Sequence, residues 1–131
     1  MAQVKGILVN DGGAPARIIN FIAAEAISAG EGLKIAASGK CALTTDNNLP
    51  LAGVALTDAA AEAQCSMVTG SGIVMYMICD GDVNRGDNLM TDEAAAGGLI
   101  IWASSDGTNT AVAYALEDAP AAGGLTKVLV V

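Results

Sequence analysis

Few side chains in this sequence have the reach for chemistry. They are Cys41, Cys65 and Cys79, the threonine–aspartate pair Thr57-Asp58, and one oxygen-rich run, "CDGDVNRGDNLMTDE", from Cys79 to Glu93. In that run Asp80, Asp82 and Asn84 alternate as the first ligands of a calcium loop do. An EF-hand then requires glycine at the sixth position and Glu at the twelfth, and those positions hold Arg85 and Thr91. The EF-hand is excluded; a looser oxygen-ligand site over Asp80–Asp87 and a plain solvated turn both stay open. Arg85-Gly86-Asp87 matches the integrin-attachment tract, but three residues carry little information, and a turn leading into a strand explains them. Asp92-Glu93 pairs two carboxylates without the separation that glycoside chemistry needs across a sugar.

The sequence contains no histidine. That removes His-dependent triads, the usual general base and most catalytic zinc sites. The cysteines lie far apart with no Cys-x-x-Cys pair, so a zinc site built from them lacks a fourth ligand and a cysteine nucleophile lacks a base. Three buried free thiols in a reducing compartment is the reading that asks least. Glycine pairs at Gly12-Gly13, Gly97-Gly98 and Gly123-Gly124 lack the P-loop Lys-Ser/Thr and the dinucleotide fingerprint. No residue is therefore assigned as catalytic, cofactor-binding or metal-ligating, no cofactor is called for, and the expectation is a protein that is not an enzyme.

The composition points the same way. Fourteen acidic residues against six basic ones give a net charge of -8, with the basic ones scattered, which argues against nucleic acid as a partner. Residues 1–20 include Lys5 but no sustained apolar stretch, and no run approaches membrane-spanning length. A soluble protein made inside a cell is expected. Hydrophobic residues make up 53% of the chain, yet 26 of them are alanine and only four residues are aromatic. Such a core is thin, with closely approaching backbones, and association with further copies is an economical way to reinforce it.

The elements that must carry these residues read as short strands. Apolar runs at Val4–Val9, Ile18–Ile22, Leu33–Ala36, Gly53–Leu56, Cys65–Val68, Ile73–Ile78, Leu99–Ala103, Ala111–Leu116 and Leu125–Val131 alternate with glycine-, aspartate- and asparagine-rich turns. The pattern predicts an all-β fold, a small β-sandwich or β-barrel-like domain. Alanine predicts at most one short helix, two turns over Phe21–Ser28, and single turns at Ala59–Ala63 and Ala94–Ala96.

The chain also echoes itself. "ALTDAA" (Ala55–Ala60) returns as "ALEDAP" (Ala115–Pro120), and "SAGEGL" (Ser28–Leu33) as "NRGDNL" (Asn84–Leu89). Two related halves in the same order follow, forming one pseudo-symmetric unit. A reactive loop is usually needed once, so the recurrence of Thr57-Asp58 as Glu117-Asp118 marks both as turns whose acidic side chains accept local backbone N–H bonds.

The order of five pieces carries a resemblance: "ISAGEGLKI" (Ile27–Ile35), "LAGVALTDAAA" (Leu51–Ala61), "GIVM" (Gly72–Met75), "VNRGDNL" (Val83–Leu89) and "AYALEDA" (Ala113–Ala119), before a valine-rich end. From Pro15 to Val131 it resembles the small capsid decoration, or cement, proteins that stabilise the heads of tailed bacteriophages. The sequence departs from the family pattern at Glu62-Ala63-Gln64, where glycine usually follows the alanine run. The resemblance implies a non-enzymatic protein on the outer capsid surface of the virion, made in the host cytoplasm. It would bind the major capsid protein as a homotrimer at threefold positions, with no membrane partner. It also implies residues 1–16 as an N-terminal arm ahead of a single β-rich domain, 17–131. Val4–Val9 of the arm would add a strand to the capsid or a neighbouring protomer. In a trimer Trp102 and Tyr114 become repeated contacts; as monomer features they are core side chains. The alternative is a virion surface or fibre-base β module that binds a receptor or glycan.

Overall fold

Turn residues cut this chain into strands, and the cuts decide the architecture. The computed structural model describes residues 17–45, 50–70, 72–92, 94–102, 111–120 and 124–131. They form ten strands: β1 (Arg17–Ile22), β2 (Gly32–Ile35), β3 (Cys41–Leu43), β4 (Gly53–Ala55), β5 (Gln64–Thr69), β6 (Val74–Cys79), β7 (Asn88–Thr91), β8 (Leu99–Ile101), β9 (Ala113–Ala115) and β10 (Gly124–Val130). No helix occurs among the described residues. The Val4–Val9 run and the rest of 1–16 lie outside them.

The echo in the sequence is an echo in topology. The first half orders its strands β1-β5-β4-β2-β3, and the second orders β6, β10, β9, β7 and β8 in the same way. The second half closes into a barrel where β6 meets β8 in parallel at Cys79 and Leu99. The first half has the corresponding closure, a single parallel bridge between Ala23 and Cys41. The closing bonds match, with Ala24 N donating to Cys41 O and Asp80 N to Leu99 O, both at 2.8 Å. The second half is thus a closed five-stranded barrel, and the first is a five-stranded sheet rolled into a barrel by that one isolated bridge, which removes most of the open edges that a flat sheet of short strands would expose.

Barrel closure also corrects the helix expected over Phe21–Ser28. Phe21 and Ile22 end β1, and the backbone beyond them bonds sideways: Ala23 N to Ala63 O, and Ile27 and Ala59 to each other in both directions, all at 2.8 Å. Alanine's helix propensity amounts to only a few tenths of a kcal/mol per residue over its competitors, so these cross-chain bonds prevail. The alanine clusters do form single turns, with Ala63 N bonded to Ala60 O and Gly98 N to Ala95 O.

Alternation along the strands splits the core in two. The Ala55–Met67 cross-strand pair points into the first barrel, with Ala23, Leu33, Cys41 and Cys65. The neighbouring pair, Val54 and Val68, points the other way and is fully buried against the second barrel's core, among Ile73, Met75 and Met77. The outer face of β4 and β5 therefore joins the halves. Burial of two valines stabilises this junction by roughly 3–6 kcal/mol on area bookkeeping. Backbone bonds lock it: Gly32 N to Gly97 O at 2.7 Å, Gly97 N to Thr44 O at 2.8 Å, and Ile78 N to Gly30 O at 3.2 Å.

Candidate functional site: matched corners and an open strand edge

Thr57-Asp58 proves to be a structural corner. Asp58 Oδ1 accepts a hydrogen bond from Ala29 N at 2.8 Å, and Asp118 Oδ1 accepts one from Arg85 N at 2.8 Å. The expected local bond is corrected to a longer-range one: each aspartate reaches across its barrel to the turn that precedes β2 or β7. The turns match in turn, since Ser28 N donates to Glu31 Oε1 and Asn84 N to Asp87 Oδ2. A carboxylate suits these places because several N–H groups in a tight turn have no strand partner, and an ionised acceptor binds them about twice as strongly as a neutral one.

The same bonds account for the oxygen-rich run. Asp80 Oδ1 accepts from Asp82 N at 3.0 Å, Asp87 caps Asn84, and Gly86 takes the left-handed φ of 89° that completes the turn at Arg85-Gly86-Asp87. Asp92 is buried, and its Oδ1 accepts from Ala94 N at 2.9 Å; Glu93, its neighbour in sequence, lies outside the described residues. Among the described residues no cluster of three or more His, Cys, Asp or Glu side chains is placed to hold a metal ion.

All three thiols are free and buried. Burial, first, and then the adjacent Cys41 push Cys65 from an ordinary 9.0 up to about 11. Burial likewise raises Cys79 to about 11, with Asp80 adding to the rise and a hydrogen bond with Thr126 opposing it. In the folded state these thiols keep their protons at a pH where the unfolded chain loses them. Their contribution is full below pH 9 and lost as pH climbs toward 11, on the order of 2 kcal/mol for Cys79. Urea unfolding should show constant stability from pH 7 to 8.5 and a decline above 9, and Cys79→Ala should make that decline shallower. Native protein should also resist a maleimide at pH 8 that labels it promptly in urea.

With the candidate chemistry absorbed into turns and core, what the surface offers is apolar. β1 has Ile18, Ile19 and Ile22 exposed at 59%, 41% and 45%. It bonds to β5 along one edge, and no strand among the described residues pairs with Arg17–Ile22 along the other. On the second barrel Ile101, Tyr114 and Leu116 are exposed. Trp102 is half-buried, and its indole Nε1 has no hydrogen-bond partner, like the hydroxyl of Thr44 at the corresponding place in the first barrel. Periodicity missed this surface, because an exposed β1 and a buried β6 look alike as alternating apolar runs.

Two hollows border the junction, the larger one mainly apolar and the smaller one mainly polar. One, of about 270 Å³, is lined by Lys34, Ile35, Pro50, Leu51 and Ala52. The other, about 140 Å³, lies between β4–β5 and the ends of the second barrel, at Val68, Ile73 and Val130. Neither brings a titratable pair together. No helix in the described residues is long and apolar enough to cross a membrane.

Glu62 follows the alanine run in a tight turn. It takes a left-handed φ of 68°, the conformation that glycine adopts at no steric cost, and its carboxylate pairs with Lys40 Nζ at 2.6 Å.

Comparisons with known proteins place this architecture. No curated protein matches the sequence. Among solved structures, the head fiber gp8.5 N base of bacteriophage phi29 superposes with a TM-score of 0.70 at 18% identity, covering 89% of this chain and 95% of that one. That likeness shows a shared fold. A family model described as phage cement protein matches residues 13–131. The chain belongs to the phage cement protein family.

Proposed function

We propose that this chain decorates the outside of a phage head, binding the major capsid protein as a homotrimer at threefold positions and reinforcing the shell. The observation that carries this reading is the family match over 13–131. The surface supports it: apolar β1 and the exposed residues of the second barrel suit protein contacts, and a net charge of -8 disfavours nucleic acid. A cement protein acts through modest contacts repeated over a symmetric shell, where linkage among copies multiplies weak sites. Residues 17–131 act as one unit in this scheme, and residues 1–16 serve as an arm along the capsid or a neighbour. The work it performs is structural, with no catalytic step.

Expanded, DNA-filled heads that lack the protein provide the test. Co-sedimentation should show saturable binding, and decorated heads should withstand higher temperature before releasing DNA. Absence of binding to expanded heads contradicts the reading. The likeness to a head fiber base, across 95% of that chain, favours one second reading, a fibre-base module that binds a receptor or glycan. It predicts that the isolated protein binds host cells, which the capsid reading does not.

A further inference from the structure

The two barrels correspond strand by strand, so the junction inside one chain shows what each barrel's unused faces would fit. Strand register sets the correspondence. Val54 faces Val68 where Tyr114 faces Leu129, and Leu33 faces Leu43 where Leu89 faces Ile101. On the other side of the junction, Ile19 faces Met67 where Met75 faces Val128.

Exposure then divides along these pairs. On the first barrel's outer face, Val54 is buried and Leu56 packs against the second barrel's core; their counterparts Tyr114 and Leu116 are exposed at 39% and 37%. On the receiving side, Met75 is fully buried and Ile78 half-buried, whereas their counterparts Ile19 and Ile22 are exposed at 41% and 45%. The junction glycine follows suit. Gly97 (φ 76°) is bonded to both Gly32 and Thr44, and a Cβ there would lie 2.8 Å from Glu31 Cβ. Its counterpart Gly39 (φ 83°) would meet nothing within 4 Å. The second barrel thus carries an exposed copy of the outer face, and β1, the first described strand, an exposed copy of the surface that receives it.

We infer that these two surfaces dock on each other in neighbouring copies: the β9–β10 outer face of one chain covers the open edge of β1 in the next, repeating the junction between its own halves. The occupant is a second copy of this chain, because the complementary surface is already present within it and its fit is displayed once per molecule. Such a contact is head-to-tail and either closes into a ring or continues as a filament. The contact needs only this chain; its closure at three copies, giving six barrels in a ring, rests on the trimer proposed above.

Sedimentation equilibrium of the full chain tests the inference. The wild type should run as a multiple of its 13.0 kDa mass, three copies in the closed ring. Ile19→Glu spoils the receiving edge and Tyr114→Glu the outer face, so each alone should fall to a single-chain species. Both sites are exposed, and urea unfolding checks that each variant folds; Ile22→Glu replaces Ile19→Glu if that one does not. Mixed at equal and high concentration, the two variants share one intact junction and should form a species of two chains and no larger. A wild type that stays a single chain at every concentration overturns the inference. So does a mixture with no two-chain species, which indicates a twofold contact instead. An oligomer broken by Ile19→Glu but indifferent to Tyr114→Glu also overturns it, placing Val4–Val9 or another segment on β1. Binding to heads is a separate measurement: oligomers that ignore expanded heads refute the capsid reading and leave the head-to-tail contact standing.

Discussion

Gly97→Ala should destabilise the protein by about 3 kcal/mol and lower its melting temperature by roughly 10 °C. Two costs add. The φ of 76° lies in the left-handed region, which costs an L-residue about 1–2 kcal/mol. The new methyl carbon would also stand 2.8 Å from Glu31 Cβ and 3.1 Å from Leu43 Cδ2, in the junction where Gly97 bonds to Gly32 and Thr44. Overpacking of that kind typically costs a further 1–3 kcal/mol. Gly86→Ala separates the two effects, since Gly86 has a similar φ of 89° and nothing within 4 Å of its would-be Cβ. Urea unfolding should show Gly86→Ala losing about 1 kcal/mol and Gly97→Ala clearly more. Equal losses would mean that Gly97 matters for its backbone conformation only and that the barrels are not locked through it.

Gly53→Ala should cost a comparable amount, about 3 kcal/mol, by sterics alone. Gly53 pairs with Leu33 in β4, and a Cβ there would lie 2.6 Å from the carbonyl oxygen of Val68 and 2.8 Å from Met67 Sδ. A backbone carbonyl in a sheet ladder has nowhere to move. The corresponding residue of the second barrel is Ala113, fully buried, and there the place of Met67 is taken by the smaller Val128. Glycine in one barrel and alanine in the other thus follow from how much room the neighbouring strand leaves. Adding Met67→Val to Gly53→Ala should recover the side-chain part of the loss and leave the carbonyl part. Full recovery, or none, would show that the contacts are apportioned differently.

These positions also show how far the sequence speaks. The paired segments at Ala55 and Ala115, and at Ser28 and Asn84, made the two halves legible, because turn chemistry is local and repeats visibly. The turn role of Asp58 followed from its partner Asp118, though the length of the bond did not. β3 escaped notice, since Cys41–Leu43 has only three residues, and β7 was legible only as the strand that the Arg85-Gly86-Asp87 turn leads into, without bounds, because Asn88–Thr91 begins in the aspartate- and asparagine-rich run. Barrel closure escaped too, since each barrel closes through one bridge, Ala23 to Cys41 or Cys79 to Leu99, with no periodic signature. That same bridge displaced the alanine helix expected at Phe21–Ser28. The exposed faces were the least legible part, because burial of Val54 and exposure of Tyr114 at equivalent places depend on which barrel has a neighbour.

A reconstruction of the native virion at side-chain resolution tests the central claim most directly. Decoration predicts three two-barrel chains around threefold positions on the outer capsid surface, touching the major capsid protein, with β1 of each chain against β9 and β10 of the next. A mature head whose outer surface carries no density for this fold would contradict it.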